Sequence, residues 1–497
     1  MKKTTIKLHT DFQVAGVDER IFGGFMEHMG RCVYEGVYDP ACKHADQKGY
    51  RTDVLGALDK LKMTAMRYPG GNFASGYHWL DGIGPKENRP TMRELAWQSI
   101  ETNQFGTDEY IDMCRKMGWT PMLTVNLGTG TPEEARNWVE YCNCPAGTKY
   151  ADMRVANGSK EPYNVKLWCL GNEMDGKWQI GHVPAKDYAI RAQQAAKMMR
   201  DVDKSIETVV CGSCCTGLPT YISWDAEVLE HCWDFVDYVS LHNYSGNRTN
   251  NTADFLANSE LIDKQLEDTA AVCRYVKAKL RSKKDVRLCF DEWNVWYKNM
   301  EMNGCGKKAP HLVEEIYNLE DAVVVAGFLN SFIRHSDTVK IANISQIVNI
   351  IAPVLTDGDN MLLQSIYYVF EMFSKRRKGI SLAQAVEGGT YSTTDGRTVK
   401  YIDSSAILDG KKLSVFACNR SIDESMQLTI DVADGNIKAV KNAEMLTGKD
   451  AKDANSFQKP NVIKAKDAVK AVKLNDGKAM LKMPPLSILA ATFELKA

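Results

Sequence analysis

WCLGNEMDG at residues 168–176 and LCFDEWNVWY at residues 288–297 decide how this chain is read. Each is an apolar run of strand length that stops at a carboxylate, the first at Asn172-Glu173 and the second at Asp291-Glu292. An unbroken apolar run bounded by polar residues is what a parallel strand covered on both faces requires. A Glu at its end sits where a barrel strand opens onto the functional face. The 119 residues between positions 173 and 292 correspond to about three β/α repeats, at roughly 30–45 residues per repeat. If Glu173 closes strand 4, Glu292 lies on strand 7.

Outward from these two stretches the same pattern recurs. Strand-like runs occur at 23–30, 65–72, 121–128, 166–173, 208–214, 238–244, 287–293 and 341–349. Amphipathic stretches such as DVLGALDKLK, GTDEYIDMCRKMG and AKDYAIRAQQAAKMMRDVD separate them. Strands alternating with helices imply parallel pairing with right-handed crossovers, and eight such units imply a closed (β/α)8 barrel. Several runs end in polar residues: Glu27, Arg67, Asn72, Asn126, His242, Tyr244 and Gln346.

Near residue 380 the character changes. KLSVFACN, SMQLTIDV, GKAMLKM and LSILAATFEL are short, and Asp-Gly turns punctuate them. That pattern predicts antiparallel β-structure, a jelly-roll-like sandwich over 381–497 following a barrel over 15–380. The opening TTIKLHT reads as one more strand, and residues 1–14 are expected to join that sandwich.

The formal net charge of −1 gives no electrostatic reason to expect nucleic acid or an anionic membrane as partner. The N-terminus shows two lysines without an apolar core after them, and no run approaches 18 apolar residues, so neither a signal peptide nor a membrane span is expected. The 14 cysteines sit mostly in apolar segments and read as reduced, buried small hydrophobes. Cys142-Asn143-Cys144 and Cys211 to Cys215 lack a second Cys/His pair at zinc spacing, so no metal site is expected. No phosphate-binding glycine motif is present.

One Glu at a strand end is most often a cap or an ion-pair partner. Two on one face are the equipment for glycosidic bond cleavage, one as proton donor and the other as nucleophile or base. The motifs GGFMEHMGRCVYEGVYDP, RYPGGNFASGYHWLDGIGP, LAWQSIETNQFG, WCLGNEMDGKWQIGH, SLHNYSGN, FDEWNVWY and QIVNIIAP follow in the order seen in glycoside hydrolase family 51. The chain therefore resembles the α-L-arabinofuranosidases of that family over nearly its whole length.

The resemblance implies a retaining hydrolase without metal or organic cofactor, with Glu173 as acid/base and Glu292 as nucleophile. Retention predicts carboxyl groups about 5–5.5 Å apart. Arg67 and Tyr244 match positions that supply charge and hydrogen bonds to the nucleophile. Asn172 matches the residue that holds the sugar 2-hydroxyl, and Glu27, Asn72 and Gln346 those that hold the other hydroxyls. His242 matches a position near the nucleophile and is given a supporting role. Trp178 and Trp296 read equally as aromatic walls of the pocket and as core packing, whereas Trp97, in a helix-like segment, leans toward packing. KNMEMNGCGKKAP (298–310) reads as a long βα-loop on the functional face, a lid or a partner contact.

The expectation is a cytoplasmic, exo-acting α-L-arabinofuranosidase. Its substrates would be arabino- and arabinoxylo-oligosaccharides, and the family resemblance suggests a homo-oligomer, a hexamer. An endo-β-glucanase or β-xylosidase on the same barrel is the first alternative, and a non-catalytic sugar-binding protein the second.

Overall fold

The computed structural model describes residues 2–496. Eight parallel strands close into a barrel: Gly23–Phe25, Ala65–Tyr68, Thr120–Val125, Leu167–Leu170, Glu207–Cys211, Tyr238–Ser245, Arg287–Val295 and Val339–Ser345. Each lies in one of the eight runs read from the sequence or extends it by a few residues. Glu173 follows the fourth strand and Glu292 lies on the seventh.

The lower barrel is filled by side chains from these strands, among them Met122, Leu167, Cys169, Val209, Cys289 and Ile341. A larger core lies between strands and surrounding helices. The helices carry the local signals that start and stop them. Thr107–Met117 opens with the Glu109 carboxylate accepting from the Gly106 amide at 2.9 Å and ends at Gly118, whose φ of 70° suits a left-handed cap. Leu319–Arg334 opens on a reciprocal capping box between Asn318 and Asp321.

That last helix is buried on every side from Leu319 to Ile333 because it lies between the barrel and the C-terminal sheet. Asn330 donates to Asp403 at 2.7 Å, and Arg334 pairs with Asp403 at 3.0 Å. The sheet has ten strands in one hydrogen-bonded order and is antiparallel except for one pair. It curls around its own core, in which Ile6, Leu428 and Leu481 meet Val415, Ala491 and Phe493. The N-terminal strand Lys2–Gly16 runs through its middle, parallel to Met426–Val432 on one side and antiparallel to Ile380–Glu387 on the other. Asp476-Gly477, both at positive φ, make the two-residue hairpin that the Asn-Asp-Gly sequence demands. Among the described residues no helix is long and apolar enough to cross a membrane.

Candidate active site

The C-terminal ends of the barrel strands open into a cavity of about 560 Å³. Glu27, Asn72, Glu173, Tyr244, Glu292 and Gln346 all line it. These residues come from six different strands or the loops after them, which is how a barrel assembles a site from distant sequence.

Asp291 and Glu292 are consecutive, and a regular strand would send them to opposite faces. Here strand 7 carries an irregularity. Cys289 and Glu292 pair with Ser240 and His242 of strand 6, so three residue steps face two. The same excess occurs against strand 8, where Phe290 and Trp293 face Ala342 and Ile344. A bulge of this kind re-aims a side chain, and both carboxylates turn inward.

Glu292 is held on both oxygens. Arg67 Nη1 donates to Oε1 at 2.7 Å, and the Tyr244 hydroxyl donates to Oε2 at 2.7 Å. Arg67 also donates to Asn172 Oδ1 at 2.7 Å and pairs through Nε with Asp291 at 3.2 Å. Gly71 lets the backbone approach this carboxylate closely, since a Cβ there would stand 2.7 Å from Glu292 Oε1.

Glu173 occupies a left-handed backbone position with φ of 44°, a conformation a glutamate holds only when its surroundings enforce it. Trp178 Nε1 donates to Oε2 at 2.7 Å, and His242 Nδ1 lies 2.9 Å from Oε1. One carboxylate oxygen each from Glu173 and Glu292 and a ring nitrogen of His242 lie within 4.8 Å of one another.

Of the residues assigned to the substrate set, Asn172 is expected at the sugar 2-hydroxyl, Arg67 at the nucleophile and His242 in a supporting role beside it, and none of the three lines the cavity. All three are buried; Arg67 and His242 hold the carboxylates, and Asn172 bridges Arg67 to Asn72. His242 bridges Glu173 and Asp291, with Nε2 at 3.2 Å from Asp291 Oδ1. Burial opposes its proton, but Glu292, Asp291 and Glu173 together raise its pKa well above the ordinary imidazole value. Asp291 is depressed to about 2: burial acts against this, and Arg67 and His242 outweigh it.

At the opposite wall Glu27 accepts from the Phe73 amide at 2.9 Å, Trp97 Nε1 at 3.1 Å and Gln346 Nε2 at 3.0 Å. Burial first, and the Glu292 charge second, push its pKa up to about 8. Gln346 Oε1 is left without a protein partner. Asn172 Nδ2 donates to Asn72 Oδ1 at 3.2 Å, linking this wall to the acid pair.

Trp178 is 52% exposed and, with half-buried Trp296, lines the cavity, so both belong to its walls. Trp97 corrects its expectation. It lies in the connection between two short paired strands, Met92–Arg93 and Ile100–Glu101, and its indole reaches the cavity and Glu27. The 298–310 loop is tied to this connection, Gly304 and Gly306 amides donating to Trp97 and Gln98 carbonyls, and its Met302 lines the cavity mouth. Asn126, another polar strand end, serves its own loop instead: its Oδ1 accepts the amides of Gly128, Thr129 and Gly130. Asp291, Ser345 (which meets the Tyr244 hydroxyl at 2.7 Å), Cys214 and Cys215 are site neighbours to which sequence reasoning gave no role there.

The chain is similar to known proteins over most of its length. Residues 57–265 match the α-L-arabinofuranosidase 1 domain, and residues 291–487 the α-L-arabinofuranosidase C-terminal domain. An intracellular exo-α-(1→5)-L-arabinofuranosidase of Acetivibrio thermocellus is 45% identical, covering 87% of this chain and 88% of its own. Intracellular exo-α-(1→5)-L-arabinofuranosidase 1 of Bacillus subtilis is 43% identical over 96% of both chains. The solved structure of a family 51 α-L-arabinofuranosidase from Bifidobacterium longum superposes with a TM-score of 0.95 at 36% identity, covering 99% of this chain and 100% of that one.

Proposed function

The chain belongs to glycoside hydrolase family 51, the α-L-arabinofuranosidases, and we propose that Glu292 is its nucleophile and Glu173 its acid/base. The protein is an exo-acting α-L-arabinofuranosidase. The observation that carries double displacement is the closeness of the two carboxylates, whose oxygens come within 4.8 Å. Inverting enzymes need roughly 6.5–9.5 Å between carboxyl groups to admit a water, so this spacing supports double displacement.

In the first step a Glu292 oxygen attacks the anomeric carbon, and Glu173 gives its proton to the departing oxygen. In the second, Glu173 takes a proton from water as the glycosyl ester breaks, and the anomeric configuration is retained. Arg67 and Tyr244 favour Glu292 for attack because they aim the carboxylate and support its charge. Glu173, beside exposed Trp178 at the cavity mouth, faces the side from which a leaving group departs.

Glu27, Asn72 and Gln346 are suited to a furanose rim crowded with hydroxyls, and the free Gln346 Oε1 is an acceptor for one of them. Trp97 joins this set through Glu27. Trp178 and Trp296 offer aromatic faces to the sugar C–H surface. The relatives named intracellular support a cytoplasmic enzyme acting on imported arabino- and arabinoxylo-oligosaccharides. A homo-oligomer, by family resemblance a hexamer, completes the proposal.

The test is hydrolysis of 4-nitrophenyl α-L-arabinofuranoside beside the β-D-xylopyranoside and β-D-glucopyranoside, with the first-formed anomer followed by NMR. Preference for the arabinofuranoside with release of the α-anomer is expected. Release of the β-anomer would overturn double displacement. Arabino-oligosaccharides of defined linkage then resolve which bond is cut.

A further inference from the structure

The cavity has a second kind of chemistry in its wall. Among the described residues eleven cysteines are buried, Cys144 and Cys215 are partly exposed, and Cys305 is exposed. Of all these, Cys214 and Cys215 line the substrate cavity, on the wall that also carries Glu173 and Trp178. They follow the fifth barrel strand in a segment pinned from both sides. The Cys214 amide donates to Asp175 Oδ2 at 3.0 Å, and Ser213 donates to Asp225 through its amide and its hydroxyl, each at 2.7 Å. The hydrolytic mechanism uses neither thiol.

We propose that Cys214 and Cys215 form a two-thiol site for a soft, thiophilic ligand, a trivalent arsenical, within the substrate cavity, so that its binding blocks hydrolysis. Adjacent residues that face one cavity can deliver both sulfurs to one centre. The Cys214 thiol, with the Gly217 and Leu218 amides, holds Cys215 down to about 6 although burial opposes this, which favours the thiolate that reacts. With an aryl arsine oxide the chemistry balances without an oxidant. Two As–S bonds form, the arsenic oxygen leaves as water with the two thiol protons, and arsenic stays trivalent. The aryl group then occupies the space beside Glu173 and Trp178.

The experiment uses the full-length protein carrying Cys305→Ser, which removes the exposed thiol outside the cavity, and phenylarsine oxide as probe. Intact mass reports binding independently of hydrolysis. One phenylarsenic per chain is expected, with activity falling in proportion. L-Arabinose should slow the reaction, and 2,3-dimercaptopropanol should reverse it where an equal concentration of a monothiol does not. Cys215→Ala in the same background, compared with its own untreated activity, should need at least ten-fold more reagent. Arabinose protection requires no change at Cys214 or Cys215, so the proposal remains testable even if substitution there disturbs folding. Absence of an adduct, an adduct indifferent to arabinose, or a full adduct with undiminished hydrolysis would each overturn it.

Discussion

His242 Nδ1 lies 2.9 Å from Glu173 Oε1, and the other ring nitrogen of the same imidazole faces buried Asp291. The ring is thus a cation inserted among three carboxylates, with Glu292 Oε2 at 3.6 Å. Removing it leaves Glu173, Asp291 and Glu292 with Arg67 as their remaining counter-charge. His242→Gln keeps a hydrogen-bonding side chain but not the charge, and kcat/KM should fall by about 10²-fold, the scale of losing one preorganised electrostatic partner. The folded pKa is raised above 6.5, so the stabilisation from this proton is complete below pH 6.5 and is lost as pH climbs through the folded value. Melting curves from pH 6 to pH 10 should show that loss in the wild type and not in the variant. Parallel pH profiles of Tm would refute the charged bridge.

Asp291 predicts the opposite pH behaviour. Its folded pKa of about 2 lies below the ordinary 3.8, so its stabilisation is present above 3.8 and disappears as pH falls through 2. Asp291→Asn leaves Arg67 and His242 short of a buried partner and should cost about 3–5 kcal/mol near neutrality. Urea unfolding at pH 7 and at pH 3 measures both effects. The gap between wild type and variant should narrow toward acid, and a constant gap would show that the charge of Asp291 is not what matters.

Much of this site is legible in the sequence because each strand announces its own end. An apolar run that stops at Glu27, Arg67, Glu173 or Glu292 declares both the strand and the face on which it opens. What the sequence hides is the geometry made by pairs of elements. The bulge that turns both Asp291 and Glu292 inward is a register shift against two neighbouring strands, visible only once they pair. The segment of Trp97 looks helical and leans toward packing, yet its indole hydrogen-bonds Glu27, 70 positions away. The inward aim of Cys214 and Cys215 depends on Asp175 and Asp225 fixing the loop, and no local spacing encodes that.

The assigned roles of the two catalytic glutamates separate under rescue. Glu292→Ala should lower kcat/KM by about 10⁴-fold or more, and azide should yield a glycosyl azide of inverted configuration from an activated aryl arabinofuranoside. Glu173→Ala should spare glycosylation by substrates with good leaving groups and slow deglycosylation, with azide giving the retained product. NMR of the two azides decides the assignment. Exchange of the two configurations would exchange the roles, and no azide product from either variant would reject both.

Glu27 sits with its pKa pushed up to about 8 from 4.5. A carboxyl raised in this way contributes stability that is full below pH 4.5 and is lost as pH rises through 8, because the unfolded chain ionises first. Glu27→Gln removes that proton equilibrium. The stability difference between variant and wild type should therefore move in favour of the variant as pH goes from 5 to 9, whatever its starting value. Activity should fall most above pH 8, where the wild-type group is a carboxylate that accepts from Phe73, Trp97 and Gln346 together and an amide cannot. Calorimetry across that range checks the slope, and a flat difference would place the Glu27 pKa near its ordinary value.

Gly71 tests whether the position of Glu292, more than its presence, sets the rate. A methyl group added at Gly71 would lie 2.7 Å from Glu292 Oε1, closer than the carboxylate can tolerate without moving. The φ at Gly71 is −86°, so alanine brings no left-handed strain there. Glu292 would be displaced from Arg67 Nη1 or turned away from the Tyr244 hydroxyl, losing one of its two donors. Gly71→Ala should then lower kcat by about 10²-fold, as a displacement near 1 Å at a reacting group does. The helices and the barrel core lie away from this contact, so Tm should change by only a few degrees. Steady-state kinetics with the aryl arabinofuranoside, alongside a thermal melt, distinguishes the cases. Unchanged kcat would mean that Glu292 adjusts without loss and that its two donors do not fix the reactive geometry, while a collapsed Tm would move the effect from the site to the fold.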